Sequence, residues 1–215
     1  MKLVDLSWPI YPGMARIPVA PDLDMRPCQQ IAAGDSSNIT EIRLSSHVGT
    51  HIDAPYHFIQ EGKTIDQLPL EHFTGPAVTI SVERQAGESI TPDDLSRADV
   101  RAGDIVLLHT GWSRKFESPE YQRHPFLVQD TADWLVDHKV KMLGIDCVNV
   151  EMPVADRPPD YARPIHHTLL RNEVLIIENL TNLDRIAGQR VRLYAFPIPY
   201  RGCDGAQARV VAEVP

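Results

Sequence analysis

The chain has 215 residues, a formal net charge of −8, 43% hydrophobic and 23% charged residues. That is the composition of an ordinary soluble domain, long enough to bury a substantial core. An acidic chain repels phosphate backbones and anionic lipid, so neither nucleic acid nor a membrane surface is an expected partner.

No apolar run approaches the length of a membrane span. The opening MKLVDLSWPIYPGM lacks the apolar stretch of a signal peptide. The three cysteines, Cys28, Cys147 and Cys203, are dispersed and odd in number. Reduced thiols in a cytoplasmic protein are therefore expected, each cysteine serving as a small core residue.

No repeat, low-complexity tract or linker divides the chain, so residues 1–215 are expected to form a single domain. In chain order, residues 40–53 read as a strand or two, followed by a strand at 77–82. A helical turn is expected at 92–98, where Thr91 can cap and Pro92 suits the first helical position. A strand at 105–109 precedes the main helix at 130–139, with Asp130 as N-cap and Ala132, Leu135 and Val136 as its apolar stripe. After a strand at 142–147 comes a shorter helix at 166–172, behind Pro164. Strands at 174–178, 191–196 and 208–214 complete an α/β domain with more strand than helix.

The chemistry concentrates in Ser45 to His57, S-S-H-V-G-T-H-I-D-A-P-Y-H, which places His47, His51, Asp53 and His57 within eleven residues. A helix would also bring positions four apart together. The β-branched Val48, Thr50 and Ile52, together with Gly49 and Pro55, argue for an extended segment instead. In one continuous strand, Thr40, Ile42, Leu44, Val48, Thr50 and Ile52 would face a core. His47, Gly49, His51 and Asp53 would share the other face, with Gly49 leaving room for a metal and a water. Pro55 would end the strand and place His57 in a following loop. Two imidazoles and one carboxylate leave a divalent ion with open positions, where it lowers the pKa of bound water and polarises a carbonyl. His57, outside this set, suits general-base work.

Further along, Glu178 closes the apolar run VLIIE, a costly place for a carboxylate unless it binds a metal or pairs with a buried arginine. Either His166 or His167 can ligate, the other facing solvent. Asp146 also ends an apolar run, and the reading for it is the orientation of a backbone group or a histidine. His72, His109, His124 and His138 read as structural or exposed. Trp8, Tyr56, Phe58 and Trp112 read as core packing before any aromatic pocket.

The stretch H-V-G-T-H-I-D-A-P-Y-H resembles the motif H-x-G-T-H-x-D-A-P-x-H of the cyclase-like metal hydrolases, a family that includes bacterial kynurenine formamidase (arylformamidase) and isatin hydrolase. D-L-S-x-P-I near the start, T-G-W at 110–112, G-I-D at 144–146, H-x-x-L-L at 166–170, I-I-E-N-L at 176–180 and D-G-A near the end extend the resemblance. It implies a barrel-like mixed sheet flanked by helices, in a homodimer or larger homo-oligomer. It implies that His47, His51 and Asp53 bind a first metal, that Asp53 can bridge to a second held by His166 and Glu178, and that His57 is the catalytic histidine. The ions implied are Zn²⁺, one or two, or Mn²⁺ as the alternative. The formamidase branch tends to carry Ser and Asp where this chain has Asn149 and Glu151, two positions therefore expected to shape the substrate pocket.

The expected activity is hydrolysis of a carbon–nitrogen amide bond in a small molecule, an aryl formamide such as N-formylkynurenine, in tryptophan catabolism. The alternatives are ring opening of a cyclic amide or lactone and, from another class, a non-catalytic metal-binding protein, which a closed site without exchangeable water would support.

Overall fold

A computed structural model of the protein describes residues 2–214. Its strands are β1 (Lys2–Asp5), β2 (Asp24–Gln29), β3 (Ile39–Arg43), β4 (His51–Asp53), β5 (Thr74–Ser81), β6 (Ser89–Ile90), β7 (Ile105–His109), β8 (Phe126–Leu127), β9 (Met142–Ile145), β10 (Leu175–Glu178), β11 (Arg190–Tyr194), β12 (Gly205–Gln207) and β13 (Val211–Val214). The α-helices are α1 (Pro92–Leu95), α2 (Gln129–Asp137) and α3 (Pro164–Arg171). Nine strands form one curled sheet in the order β1-β13-β11-β5-β7-β9-β10-β4-β12. It is a half-barrel, mixed as expected, with β5, β7, β9 and β10 parallel and the outer pairs antiparallel.

The central strands are buried on both faces, which is why they read as continuous apolar runs. In β7, Val106 and Leu108 join one core while Ile105 and Leu107 join the other. The first core includes Ala132 and Leu135 of α2 and Ile165 and Leu169 of α3. The second takes Ile52 of β4, Ile177 of β10 and Ala206 of β12. Val136, expected in the α2 stripe, is only partly buried against the first core.

The helix signals survive with small shifts. Thr91 N–H and its hydroxyl both donate to the Asp94 carboxylate, closing the first turn of α1 at 2.8 and 3.1 Å. Pro164 opens α3 at its first position. Asp130 is not the N-cap of α2; Val128 is, and Asp130 lies in the first turn, where its charge still favours the positive end of the helix.

The largest departure lies at 40–53, which is not one strand. β3 ends at Arg43 and pairs only with β2, in a separate two-stranded ribbon. Residues 44–50 leave the strand, with turns and bends over 46–50, and β4 begins at His51. Thr40 and Ile42 are consequently exposed, whereas Val48, Thr50 and Ile52 are buried. The alternation of β-branched residues spans two unrelated environments, and pattern alone does not register the break. The thiols also divide: Cys147 is buried, Cys203 intermediate and Cys28 exposed on the ribbon, so the core role holds for Cys147 alone.

Candidate functional site

β4 lies between β10 and β12, and its register builds the site. His51 stands opposite Glu178 of β10 and Gln207 of β12. Asp53 stands opposite Ile176 and Gly205. With Ile52 turned into the second core, His51 and Asp53 point the other way. The result is that His51 Nε2 lies 3.4 Å from Asp53 Oδ1 and 3.6 Å from Glu178 Oε2. The buried His166, on α3, brings its Nε2 to 3.5 Å from both Asp53 Oδ2 and Glu178 Oε1. His167 is only partly buried, so the helix presents His166 to the carboxylates. Glu178 pairs with no arginine among the described residues; Val150 N–H donates to its Oε1 at 3.3 Å.

Two side-chain atoms here are buried without a hydrogen-bond partner: His51 Nε2 and Asp53 Oδ2. Leaving such groups unpaired costs about 1–3 kcal/mol each. The opposite side of the His51 ring is satisfied, since Nδ1 lies 2.8 Å from the Gly49 carbonyl oxygen. That contact fixes Nε2 as the free nitrogen, the form a ligating imidazole takes.

His47 sits between two carboxylates, its Nδ1 2.8 Å from Asp53 Oδ1 and its Nε2 2.7 Å from Asp204 Oδ2. Burial disfavours the imidazolium, but Asp53 and Asp204 outweigh it and raise His47 to about 10. His166 is likewise held above its ordinary value, burial being overcome by Asp53, Glu151 and Glu178. Asp53, also buried, is kept well below the usual carboxylate range by His47 and His57. Two ligand sets follow from the geometry, His51–Asp53–Glu178 and His47–Asp53–His57, with Asp53 common to both.

His57 follows Pro55 in a single 3-10 turn, as the proline implies. Its ring stacks on that of His47 with centroids 3.9 Å apart, and its Nδ1 lies 3.4 Å from Asp204 Oδ2. Phe58, expected in a core, is partly buried against the first core and also stacks on His166 at 4.5 Å. Together His47, His57, Phe58, Asn149, His166 and Glu178 wall a cavity of about 370 Å³. Two larger surface clefts, of about 780 and 520 Å³, hold none of the histidines.

Several supporting residues escape sequence reasoning. Asp204 holds both His47 and His57, and its only signal is the D-G-A tripeptide. Gly205 leaves the space His47 occupies: a Cβ there would lie 3.0 Å from His47 Cε1 and 2.7 Å from the Ile52 carbonyl oxygen. Glu151 does not line the pocket wall. It sits behind His166, with Oε1 2.9 Å from the ring Nδ1 and accepting from the His166 N–H at 2.8 Å. A carboxylate behind a histidine orients the ring and leaves Nε2 for the centre. Asn149 does line the cavity, as expected.

Gly49 has a different role from the one its position suggests. A Cβ there would meet Ile10 and Met14 at 3.3 Å, away from the carboxylates, so it makes no room for a metal. Its φ of 66° and its carbonyl, which receives His51 and the Asn179 amide at 3.1 Å, are what the site uses. Asp146 takes its expected part, accepting from the Thr110 N–H at 3.0 Å and hydroxyl at 2.5 Å.

Comparison with known proteins places the chain among relatives. A family described as putative cyclase matches residues 4–152. The kynurenine formamidase of Geobacillus thermodenitrificans is 34% identical over 179 residues, 83% of this chain and 81% of that protein. A solved structure described as a potential metal-dependent hydrolase with cyclase activity is 30% identical with a TM-score of 0.80, covering 100% of this chain and 99% of that one. Isatin hydrolase A from Ralstonia solanacearum shares the fold, with a TM-score of 0.89 at 23% identity over 98% of this chain and 91% of that one.

Proposed function

The chain belongs to the putative cyclase family, and from that premise we propose that it is a metal-dependent hydrolase of carbon–nitrogen amide bonds, acting on an aryl formamide such as N-formylkynurenine. The observation that carries this reading is the pair of unpartnered buried atoms, His51 Nε2 and Asp53 Oδ2, gathered against Glu178 and His166, which line a cavity. Buried nitrogen and oxygen donors without partners fit a divalent cation.

His47, His51, Asp53, His166 and Glu178 would hold one ion or two, which leaves His57 outside the ligand set as the proton carrier. Such an ion supplies Lewis-acid polarisation of a carbonyl and a lowered pKa for water. The nitrogen and oxygen donors suit Zn²⁺ and also Mn²⁺.

The chain's own residues do the rest. His57 lines the cavity and is partly exposed, so it can take a proton from the attacking water and return it to the departing nitrogen. Asp204, 3.4 Å from His57 Nδ1, steadies the imidazolium formed in between. Phe58 and the apolar Ile17 and Pro21 offer a wall for an aromatic ring. The amide C–N bond breaks, water oxygen goes to carbon, and the products are an arylamine and formate.

A cavity beside the candidate ligands leaves room for a substrate and speaks for catalysis over a purely structural metal site. The same proposal includes a cytoplasmic setting, in keeping with three free cysteines. It also includes self-association through the β2–β3 ribbon, where Ile39 and Ile42 stand 48% and 52% exposed. Light scattering that returns a monomer removes that last part.

The test is formate release from N-formylkynurenine by zinc- or manganese-loaded protein, with chelated protein as blank. Metal-dependent turnover at about 10⁴ M⁻¹s⁻¹ or better is the expected result. Metal binding without formate, together with opening of isatin or a lactone, would replace the formamide reading with ring opening.

A further inference from the structure

The cavity has a second, cationic wall that hydrolysis does not use. Arg157 and Arg163 both line it, on the same space as His57, His166 and Glu178. Neither guanidinium joins an ion pair among the described residues, whereas Arg16, Arg84, Arg190 and Arg209 each have a carboxylate partner. Arg157 is positioned from behind: its Nε donates to the Met152 carbonyl oxygen at 2.7 Å, and its guanidinium carbon lies 5.3 Å from the centre of the Tyr161 ring. Those contacts leave its terminal N–H groups free. Tyr161 is itself held, donating its hydroxyl to Glu151 Oε2 at 2.7 Å. Arg163 occupies the left-handed region at φ 52°, directly before Pro164 and the helix that carries His166. A non-glycine residue there is strained, and such strain concentrates at ligand contacts.

Two like charges facing one cavity repel each other. Burial, then the charge of Arg163, pushes Arg157 below the ordinary arginine range. In a chain of net charge −8, an anionic small molecule meets general repulsion, so a local pair of guanidiniums is where its charge can be accepted. Guanidinium is also the side chain whose geometry matches a carboxylate with two parallel hydrogen bonds.

We propose that Arg157 and Arg163 form an anion-recognition wall that selects substrates carrying a carboxylate remote from the scissile bond. The inference rests on the hydrolase reading above and sharpens it. It favours amides derived from amino acids or keto acids over neutral cyclic amides, because only the former can occupy the metal-facing and the arginine-facing walls together.

The experiment compares metal-loaded protein on N-formylkynurenine and on ortho-formamidobutyrophenone, which keeps the ring, ketone and formamide but lacks the carboxylate and amine. The desamino acid with the carboxylate retained is the third substrate. Both carboxylates are expected to exceed the neutral ketone in kcat/KM by about ten- to hundredfold. In Arg163→Gln, and in Arg157→Gln, that ratio is expected to fall toward one, with Arg163→Lys in between. A wild-type ratio near one, or a ratio unchanged in both glutamine variants, overturns the inference and leaves the hydrolase reading intact. No cleavage of any of the three by metal-bound protein overturns the reading beneath it as well, so the two failures are distinguishable.

Discussion

The β4–β10 seam and the β2–β3 ribbon are both short antiparallel pairs, yet they behave as different materials. In the seam every residue of both strands is buried, with Ile52 fully enclosed and the His51 imidazole opposite the Glu178 carboxylate. In the ribbon every residue but Met25 is exposed, Ile42 at 52%. A strand buried on both sides can hold charged groups at fixed separations, because neighbours determine every rotamer. A ribbon exposed on both faces cannot fix geometry and is free to meet another molecule instead. The proposed chemistry therefore belongs at the seam.

Removing the proton-handling group next to the seam should have the largest effect. His57→Ala is expected to lower turnover by about 10²–10⁴-fold while metal content stays at the wild-type level. Near-normal turnover with metal bound would take His57 out of proton transfer.

Truncating the seam's apolar side comes next. Ile52→Ala should cost about 2–5 kcal/mol in denaturant unfolding of the metal-free protein. A cost under 1 kcal/mol would mean that β4 tolerates movement and that the site's spacing is softer than its burial implies.

Acid probes the fold away from both regions. His124 is 2% exposed, and burial lowers its pKa from 6.5 to about 4. The unfolded chain takes up the proton first as pH drops. Stability is thus complete above about 6.5 and is lost as pH falls toward about 4, by about 3 kcal/mol. His124→Gln should flatten that slope; an unchanged slope would assign acid sensitivity elsewhere.

The histidine beside the seam titrates the other way. His47 is raised to about 10 by Asp53 and Asp204 against its burial, so the metal-free protein carries that proton at neutral pH. A metal that takes His47 must displace it. Metal affinity should rise with pH up to about 10, and calorimetry in buffers of different ionisation enthalpy should register proton release on loading. Loading without proton release would leave His47 out of the ligand set.

The smallest effect belongs to the ribbon. Ile42→Ala is expected to change protomer stability by no more than about 0.5 kcal/mol. If it costs as much as Ile52→Ala, the ribbon is packed against something in solution.

How much of this was legible in the sequence differs by residue. That His47, His51, Asp53 and His57 gather was legible because ligand types at short spacing are written locally, and Pro55 marked the turn that sets His57 apart. Glu178 was legible only in part: a carboxylate ending an apolar run demands a partner, but the run does not say whether that partner is an arginine or a metal. The central strands were legible because double burial demands apolar residues at every position. The break between Arg43 and His51 was not, since β-branched alternation is the same in a ribbon as in a core strand. Asp204 and Gly205 were not legible as parts of the site either. Their meaning depends on His47, brought to them from 157 residues away by the β4–β12 pairing. Gly49 was misread for a related reason: spacing along a strand says nothing of a residue whose backbone has left the strand.

The central claim is that the seam is a metal centre with Asp53 at its middle. Equilibrium dialysis of wild type and Asp53→Asn against Zn²⁺, with metal content read by mass spectrometry, tests it most directly. The account predicts one or two tightly held ions in wild type and their loss in the variant, with the fold retained by circular dichroism. A folded Asp53→Asn that holds the same metal as wild type would contradict it.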